Sequence, residues 1–175
     1  MHLKQGLANL RRPVEYRVVR TALRRGSLKP GFRLNQFSVQ SNHLDLIVEA
    51  SDRNFLGRGM CGLGTRLARN LNRLWGLRGR VFAERYHSVL LRSPRQVRNA
   101  LRYVLNNVLR HGGHLTGNRP DPCSSGEWFD GWKDRRARSP SDARCPVAPA
   151  RSRLQRLAWR RHGLLQLLES PRGVP

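Results

Sequence analysis

The stretch Gln36–Ala50, QFSVQSNHLDLIVEA, ends in an alternation of polar and apolar residues that is typical of a β-strand. Successive side chains of a strand point to opposite faces, so the alternation separates two sets of residues. One face carries His43, Asp45, Ile47 and Glu49, and the other carries Leu44, Leu46 and Val48. The apolar set predicts burial, and the imidazole with its carboxylates indicates a metal or phosphate site. An ordinary half-buried strand shows the same alternation, so the rest of the chain must decide.

The segments around this strand alternate between helical and extended patterns. Apolar residues at helical spacing predict helices over 13–25, 54–75 and 94–111, the last capped by Ser93. β-rich segments predict strands over 32–40, 43–50 and 80–92, with a hairpin between the first two. Residues 1–12 fit the remnant of an earlier strand. The order (β)αββαβα predicts an α+β fold, a ferredoxin-like antiparallel sheet with helices.

The composition changes late in the chain, which divides it into a domain at 1–113 and a basic C-terminal extension at 114–175. Residues 115–151 are rich in Pro, Gly, Ser and charge, which predicts an irregular segment. Its three central aromatic residues could stack on bases, but aromatics isolated in a polar segment usually dock it on a domain. These residues are Trp128, Phe129 and Trp132. Residues 152–168 predict a final basic amphipathic helix.

The charge balance of the chain indicates its partner. Net charge is +23, with 34 Lys and Arg against 11 Asp and Glu. A polyanion explains this excess, because each neutralised phosphate releases counterions and adds affinity. A GC-rich coding bias would explain Arg over Lys, but not the scarcity of acids. The three cysteines form no CxxC pair, and we find neither a secretory signal nor an apolar run of membrane-spanning length. We therefore expect a cytoplasmic protein with a nucleic-acid partner and no membrane partner.

The predicted helix after Ser93 carries an unusual polar face. Tyr103 and Asn107 are four residues apart and therefore neighbours on one helix surface. Gln96, Asn99 and Arg110 extend the same surface. A solvated helix face is usually dominated by charge, whereas this one is polar and mostly uncharged. We therefore treat it as a second candidate part of a site.

Several stretches in collinear order carry a family resemblance. They are FSVQSNHLDLIVEA, then RVFAERYHSVLLRSPRQVRNALRYVLNNVLRHG, then DPCSSGEWFDGW and WRRHG. Over residues 3–163 the chain resembles single-tyrosine HUH transposases of the insertion-sequence type, and more narrowly the REP-associated tyrosine transposases. The resemblance implies a transposase-like protein that binds single-stranded or hairpin DNA. It also implies cleavage and rejoining through a 5′-phosphotyrosine intermediate with one divalent ion, Mg²⁺ or Mn²⁺.

The resemblance assigns roles position by position. His43 matches the first metal-binding histidine, Tyr103 the nucleophile, and Asn107 the position of a third metal ligand. Asp45 stands where the family has its second histidine, and aspartate is a competent ligand for Mg²⁺ or Mn²⁺. The side chains that we predict to bind DNA are Arg85, Arg98, Arg102 and Arg110.

Two departures from the family pattern leave alternatives open. Asp45 is shorter than histidine and brings a negative charge to the phosphate site. The opening residues MHLKQ replace a full first strand, so that strand is expected to be clipped. The alternative function is therefore a catalytically inactive, decayed transposase that acts at most as a basic nucleic-acid-binding protein. Family members include dimers and monomers, so a homodimer is also open.

Overall fold

The computed structural model describes residues 1–110, 115, 119–133 and 144–170. In chain order the elements are α1 (Pro13–Gly26), β1 (Leu28–Lys29), β2 (Phe32–Val39), β3 (Leu44–Ala50), α2 (Arg53–Trp75), α3 (Pro94–Leu105), α4 (Asn107–Arg110) and α5 (Arg153–Arg156). Short 3₁₀ turns lie at Gly126–Trp128 and Ala158–His162. The predicted α+β class is confirmed.

The predicted hairpin is confirmed and forms the centre of the sheet. β2 and β3 pair antiparallel, with Ser38 opposite Asp45, and β1 adds a short strand beyond β2. The register shifts between Leu34 and Gln36, which marks a bulge in β2. An extra residue in one strand reverses its alternation, and this is why Leu34 and Phe37 belong to the same core.

α1 and α2 cover one face of the sheet. The core here contains the buried residues Val19, Ala22, Leu23, Leu34, Phe37, Val39, Leu44, Leu63, Leu67 and Leu71. α2 begins at the N-cap Asp52, whose carboxylate accepts a 2.9 Å bond from the Phe55 N–H. Gly59 lies against the Phe32 ring, where a Cβ atom would clash. The glycines that weaken the start of α2 therefore include one that permits close packing.

α3 covers the opposite face together with the C-terminal extension. The predicted N-cap is confirmed, since Ser93 Oγ accepts from the Gln96 N–H and Gln96 Oε1 accepts from the Ser93 N–H. The buried residues of this second core are Ile47, Val97, Ala100, Leu101, Val104, Leu105, Phe129, Trp132, Trp159, Leu165 and Leu167. The predicted docking of the aromatic segment is confirmed, because Trp128, Phe129 and Trp132 are all buried.

The prediction of one continuous helix over 152–168 is wrong. α5 ends at Arg156, a 3₁₀ turn follows, and Gly163 adopts a left-handed φ of 88°. The chain then returns along residues 131–133, where the Leu165 N–H donates to the Gly131 carbonyl and the Leu165 carbonyl accepts from Lys133. Trp159 and Leu165 are both buried in the core that α3 shares with the extension.

The prediction of a strand over 80–92 is wrong for most of its length. Phe82 forms a single antiparallel bridge with Leu3, and residues 83–92 form no strand. A β-rich sequence needs a neighbouring strand for its backbone bonds, and among the described residues the N-terminal segment pairs only with residues 81–83. The local pattern therefore lacks the partner that would make it a strand.

The predicted helix over 94–111 is interrupted. α3 ends at Leu105 and α4 begins at Asn107, because Asn106 leaves helical geometry with φ −104° and ψ 14°. Asn106 is fully buried, and its Nδ2 donates to the carbonyls of Gln166 and Glu169. Residues 111–113, where we predicted the helix end, lie outside the described residues.

Candidate functional site

The candidate site begins at the start of β3, where His43 is held by His2 and Asn42. An antiparallel bridge joins His43 to His2, and the two imidazole rings stack with centroids 4.8 Å apart. His43 is buried, and its Nδ1 lies 2.9 Å from the Asn42 amide oxygen. The ring is therefore fixed in orientation, with Nε2 turned toward the other end of the site.

Asp45 joins the strand to the helical layer. Its Oδ2 lies 3.4 Å from His43 Nε2 and accepts a 2.5 Å hydrogen bond from Asn107 Nδ2. Asn107 is the first residue of α4, and the break at Asn106 directs it toward β3. The three predicted metal ligands, His43, Asp45 and Asn107, thus meet through Asp45. They span 64 positions of the sequence, from 43 to 107.

The donor atoms of this cluster fit a small divalent ion. The Asn42 oxygen can only accept, so the proton of a neutral His43 ring lies on Nδ1 and Nε2 is an acceptor. Nε2 then faces a carboxylate oxygen, and two acceptors attract each other only through a proton or a metal ion. Their separation of 3.4 Å is close to the roughly 3.0 Å between adjacent ligands around an ion with bonds of about 2.1 Å.

Asn107 adds an amide to the same cluster, with its nitrogen toward Asp45. Its Oδ1 is buried and has no hydrogen-bond partner among the described residues. An imidazole nitrogen, a carboxylate and an amide oxygen suit Mn²⁺ or Mg²⁺. The described part of the chain contains no group of three or more His, Cys, Asp or Glu residues that could hold a metal. The candidate metal site therefore depends on the amide of Asn107.

Tyr103 lies at the edge of this cluster, near the end of α3. Burial raises the pKa of Tyr103 above its ordinary value, the charge of Asp45 raises it further, and the charge of Arg110 acts against both. The Arg110 guanidinium carbon lies 5.5 Å from the centre of the Tyr103 ring. A phenol in this environment is a weak nucleophile unless additional positive charge stabilises its anion.

The four predicted DNA-binding arginines lie in two settings. Arg85 and Arg110 are exposed. Arg98 and Arg102 both bind Glu169 of the extension, at 2.8 and 3.1 Å. The carboxylate occupies the guanidinium groups as a phosphate would, so these two arginines dock the extension on α3.

A groove of about 1390 Å³ opens beside the cluster. β3 and residues 86–91 line it, and Asp45, Tyr103 and Arg110 also face it. Among the described residues it is lined by five Lys or Arg side chains against three carboxylates, which are Lys29, Arg33, Arg53, Arg110 and Arg151 against Asp45, Glu49 and Asp52. The candidate nucleophile Tyr103 and the carboxylate of Asp45 are therefore reachable by an anionic chain, whereas His43 and Asn107 are buried behind them.

Sequence reasoning missed two residues that shape the site. His2 stacks on His43, and Glu169 holds the two arginines of α3. Both contacts join distant parts of the chain, and neither residue belongs to a recognisable pattern. Glu49, which shares the strand face of His43, is engaged elsewhere, since its carboxylate accepts from the N–H groups of Arg151 and Ser152.

Comparisons with known proteins do not assign this chain to a family. No protein-family model matches it, and neither a curated protein nor a solved structure is significantly similar. None of the described helices combines the length and apolar character required to cross a membrane.

Proposed function

We propose that this chain is a transposase-like protein of the HUH tyrosine type, which binds single-stranded DNA and cleaves and rejoins it through Tyr103. One observation carries the proposal: Asp45 on β3 contacts both His43 and Asn107, while its charge acts on Tyr103. These are the residues to which the sequence resemblance gives catalytic roles. Their convergence is what the function requires and what the sequence alone could not provide.

The order of extended segments supports a ferredoxin-like arrangement. Residues 81–83 bond to residues 2–4, which bond to the start of β3, which pairs with β2. Each neighbouring pair is antiparallel. Numbered as four strands along the chain, this order is 4-1-3-2, with the crossover helices α1 and α2 on one face. Among the described residues, the pairing between the first and last of these strands involves only residues 2–4 and 81–83.

His43 Nε2, the Asp45 carboxylate and Asn107 Oδ1 would hold one divalent ion, Mg²⁺ or Mn²⁺. When bound, such an ion would supply positive charge to the phosphate oxygens, and water would complete its coordination. The Asn107 amide turns its nitrogen toward Asp45 and its oxygen has no hydrogen-bond partner among the described residues, so a half-turn of the amide would present Oδ1 to the ion.

The proposed reaction at Tyr103 is a transesterification. The phenol oxygen bonds to the scissile phosphorus, the bond from phosphorus to the 3′ oxygen breaks, and the phenol proton is balanced by protonation of the leaving 3′ oxygen. The products are a 5′-phosphotyrosine and a free 3′-hydroxyl. A second 3′-hydroxyl can reverse the reaction and reseal the strand without ATP, because the phosphotyrosine link retains the bond energy.

The charge of the chain supplies affinity for the DNA backbone. The net charge of +23 favours a polyanion, and exposed Arg85 and Arg110 would contact phosphates beside the groove. Arg98 and Arg102 would join them only by exchanging Glu169 for phosphate. Binding should weaken steeply with salt, as counterion release requires.

The second candidate function is nucleic-acid binding without cleavage. The observation that favours it is the carboxylate at position 45, which raises the pKa of Tyr103 after burial has already done so. A histidine there would coordinate metal without adding negative charge to the phosphate site. In this alternative the chain retains the basic surface of a transposase and has lost its catalyst.

A covalent-adduct assay tests the proposal. The full chain is incubated with a labelled pool of hairpin-forming single-stranded DNA and Mn²⁺, and the products are separated in denaturing gels. We expect a labelled protein band that Tyr103→Phe abolishes. Tyr86→Phe is the matched control, because Tyr86 also lines the groove but has no assigned role.

The Asp45→His variant separates the two candidate functions. An adduct with the unmodified chain supports cleavage. An adduct only with Asp45→His supports the binding-only alternative, and salt-sensitive DNA binding should then persist in the unmodified chain. An adduct that survives Tyr103→Phe would contradict the assignment of the nucleophile.

A further inference from the structure

A second, smaller pocket lies between the end of α1, the turn from β1 to β2 and the first half of α2. Its volume is about 340 Å³, at the lower end of the range of about 300–1,000 Å³ that is usual for small-molecule sites. Three cationic and three large apolar side chains line it, and these are Lys29, Arg58 and Arg66 with Phe32, Phe55 and Leu63. Within the described part of the chain, no carboxylate lines this pocket. Its charge is therefore of one sign.

The three cations of the pocket lack anionic partners within the described part of the chain. None of them forms an ion pair or a hydrogen bond there, and the Arg58 guanidinium carbon instead lies 4.5 Å from the centre of the Phe55 ring. The N-cap carboxylate of Asp52 lines the neighbouring groove and not this pocket. By contrast, the two arginines of α3 share the carboxylate of Glu169. The pocket is thus a place where positive charge is gathered and left uncompensated.

Arg66 makes this lack of an acceptor costly. Its Nε is shut off from solvent and has no hydrogen-bond partner among the described residues. Gly26 leaves room for the Arg66 side chain, because a Cβ atom at Gly26 would lie 3.8 Å from Arg66 Nε and 2.8 Å from Leu63 Cδ1. A buried donor without an acceptor is destabilising, and more so when the donor is charged. An anion that reaches the guanidinium group from the pocket would offset this cost.

We infer that this pocket binds a phosphate group, held by Arg66, Arg58 and Lys29. Guanidinium groups donate paired hydrogen bonds to phosphate oxygens, and a phosphate with up to two negative charges suits several cations better than a single carboxylate does. The apolar walls strengthen the attraction, because charges interact more strongly where water is excluded. This inference does not depend on the proposed cleavage reaction.

Two sources of the phosphate group are compatible with the position of the pocket. A free small phosphate ester of about nucleotide size fits its volume. A nucleic-acid strand that lies in the larger groove could instead place one backbone phosphate here, because Lys29, Pro30 and Phe32 line both cavities. The chemistry of recognition is the same in both cases, so the experiment must first establish the phosphate site and then separate the sources.

Two glycines of α2 provide a matched pair of variants. Gly62 lines the pocket, whereas Gly57 lines neither cavity, and an added Cβ would meet no atom within 4 Å at either position. Gly62→Leu therefore places a side chain at the pocket without changing its charge, and Gly57→Leu makes the same change elsewhere on the helix. Leucine favours a helix over glycine, so both variants should retain the fold.

Titration of the full chain with inorganic phosphate, followed by NMR, tests the site. The Gly59 amide and the Arg66 Nε–H signal should shift and saturate, whereas acetate at the same ionic strength should shift them little. Gly62→Leu should weaken the Gly59 response about tenfold, and Gly57→Leu should leave it unchanged. Arg66→Gln should also weaken it about tenfold, the usual effect of losing a charge-assisted hydrogen bond. Arg69→Gln is the charge control, because Arg69 is exposed on the same helix and does not line the pocket.

The inference is overturned if phosphate shifts the Gly59 and Arg66 signals no more than it shifts the side chain of Arg69. Equal responses of Gly62→Leu and Gly57→Leu would overturn it as well. Once the site is established, thymidine 5′-phosphate and oligothymidylate separate the sources. A nucleic-acid source predicts that Gly62→Leu weakens oligothymidylate binding more than Gly57→Leu does. A free phosphate ester predicts that Gly62→Leu weakens only thymidine 5′-phosphate binding, and either result supports the phosphate site.

Discussion

The two faces of the sheet are built from different kinds of information. On the α1–α2 face, the core consists almost entirely of aliphatic residues from segments with clear helical or strand periodicity. On the α3 face, one helix shares its core with aromatic residues from an irregular extension. The candidate site lies on the second face, at the start of β3. The sequence pattern therefore predicts the α1–α2 face well, whereas the candidate site lies on the α3 face.

The difference follows from what each face must do. A purely apolar face needs only apolar side chains that fill the space between helix and sheet, and hydrophobic periodicity predicts where those side chains lie. The α3 face must bury Trp159 and also hold Asp45, Asn107 and Tyr103 in polar contacts. Those contacts depend on the break at Asn106, which the carbonyls of the extension stabilise. The extension thus positions the site as well as covering the helix.

The largest effect on stability should come from removing the side chain of Trp159, which is fully buried between Phe129 and α3. If both faces unfold together, Trp159→Ala should lower the free energy of unfolding by about 3–5 kcal/mol. Urea unfolding followed by circular dichroism measures this. Leu168→Ala is the control, because Leu168 is 72% exposed and should cost less than about 0.5 kcal/mol. An unchanged urea midpoint for Trp159→Ala would make the extension an independent appendage.

The equivalent change on the other face is Leu67→Ala. Leu67 is fully buried in α2, so its truncation should cost about 2–5 kcal/mol. Val14→Ala, at a half-exposed position of α1, is the control. Coincident transitions by circular dichroism and tryptophan fluorescence would show that the two faces form one cooperative unit. Separate transitions would show that the two faces unfold as independent units.

A smaller effect should come from the carboxylate that docks the extension. Burial acts to raise the pKa of Glu169, but the hydrogen bonds and charges of Arg98 and Arg102 outweigh it and leave the pKa below its ordinary value. Its contribution to stability is thus complete above the unfolded pKa of about 4.3 and is lost as pH falls through the lower, folded value. Glu169→Gln should destabilise by about 1 kcal/mol at pH 7 and remove this acid dependence. Arg160 with Asp130 is the control pair, because Asp130 is exposed and Asp130→Asn should change little.

The smallest expected effect concerns the titration of Tyr103. Asp45→Asn should lower the pKa of Tyr103 toward its ordinary value, because burial remains but a negative charge is removed. Arg110→Gln should raise the same pKa by removing the opposing charge. Site-resolved NMR of tyrosine Cζ carbons during a pH titration measures both shifts. Glu84→Gln is the control and should leave Tyr103 unchanged; shifts in the opposite directions would place Tyr103 away from Asp45.

Much of the fold could be predicted because its signals are local. The strand at Leu44–Ala50, the capped helix after Ser93 and the helical stripe through Leu67 follow from periodicity and capping. The failures involve residues whose structure depends on distant partners. Residues 83–92 lack a neighbouring strand, and the segment after Arg156 bends because Leu165 pairs with Gly131. The contact of His2 with His43 has no local signal at all.

Paramagnetic broadening by Mn²⁺ tests the central claim that His43, Asp45 and Asn107 form a divalent-ion site beside Tyr103. With tyrosine Cζ carbons labelled, substoichiometric Mn²⁺ should broaden the Tyr103 signal and leave Tyr16, which packs in the α1–α2 core, sharp. Asp45→Ala should abolish that selectivity. A Tyr103 signal that stays sharp in the unmodified chain, or that broadens equally in Asp45→Ala, would contradict the claim.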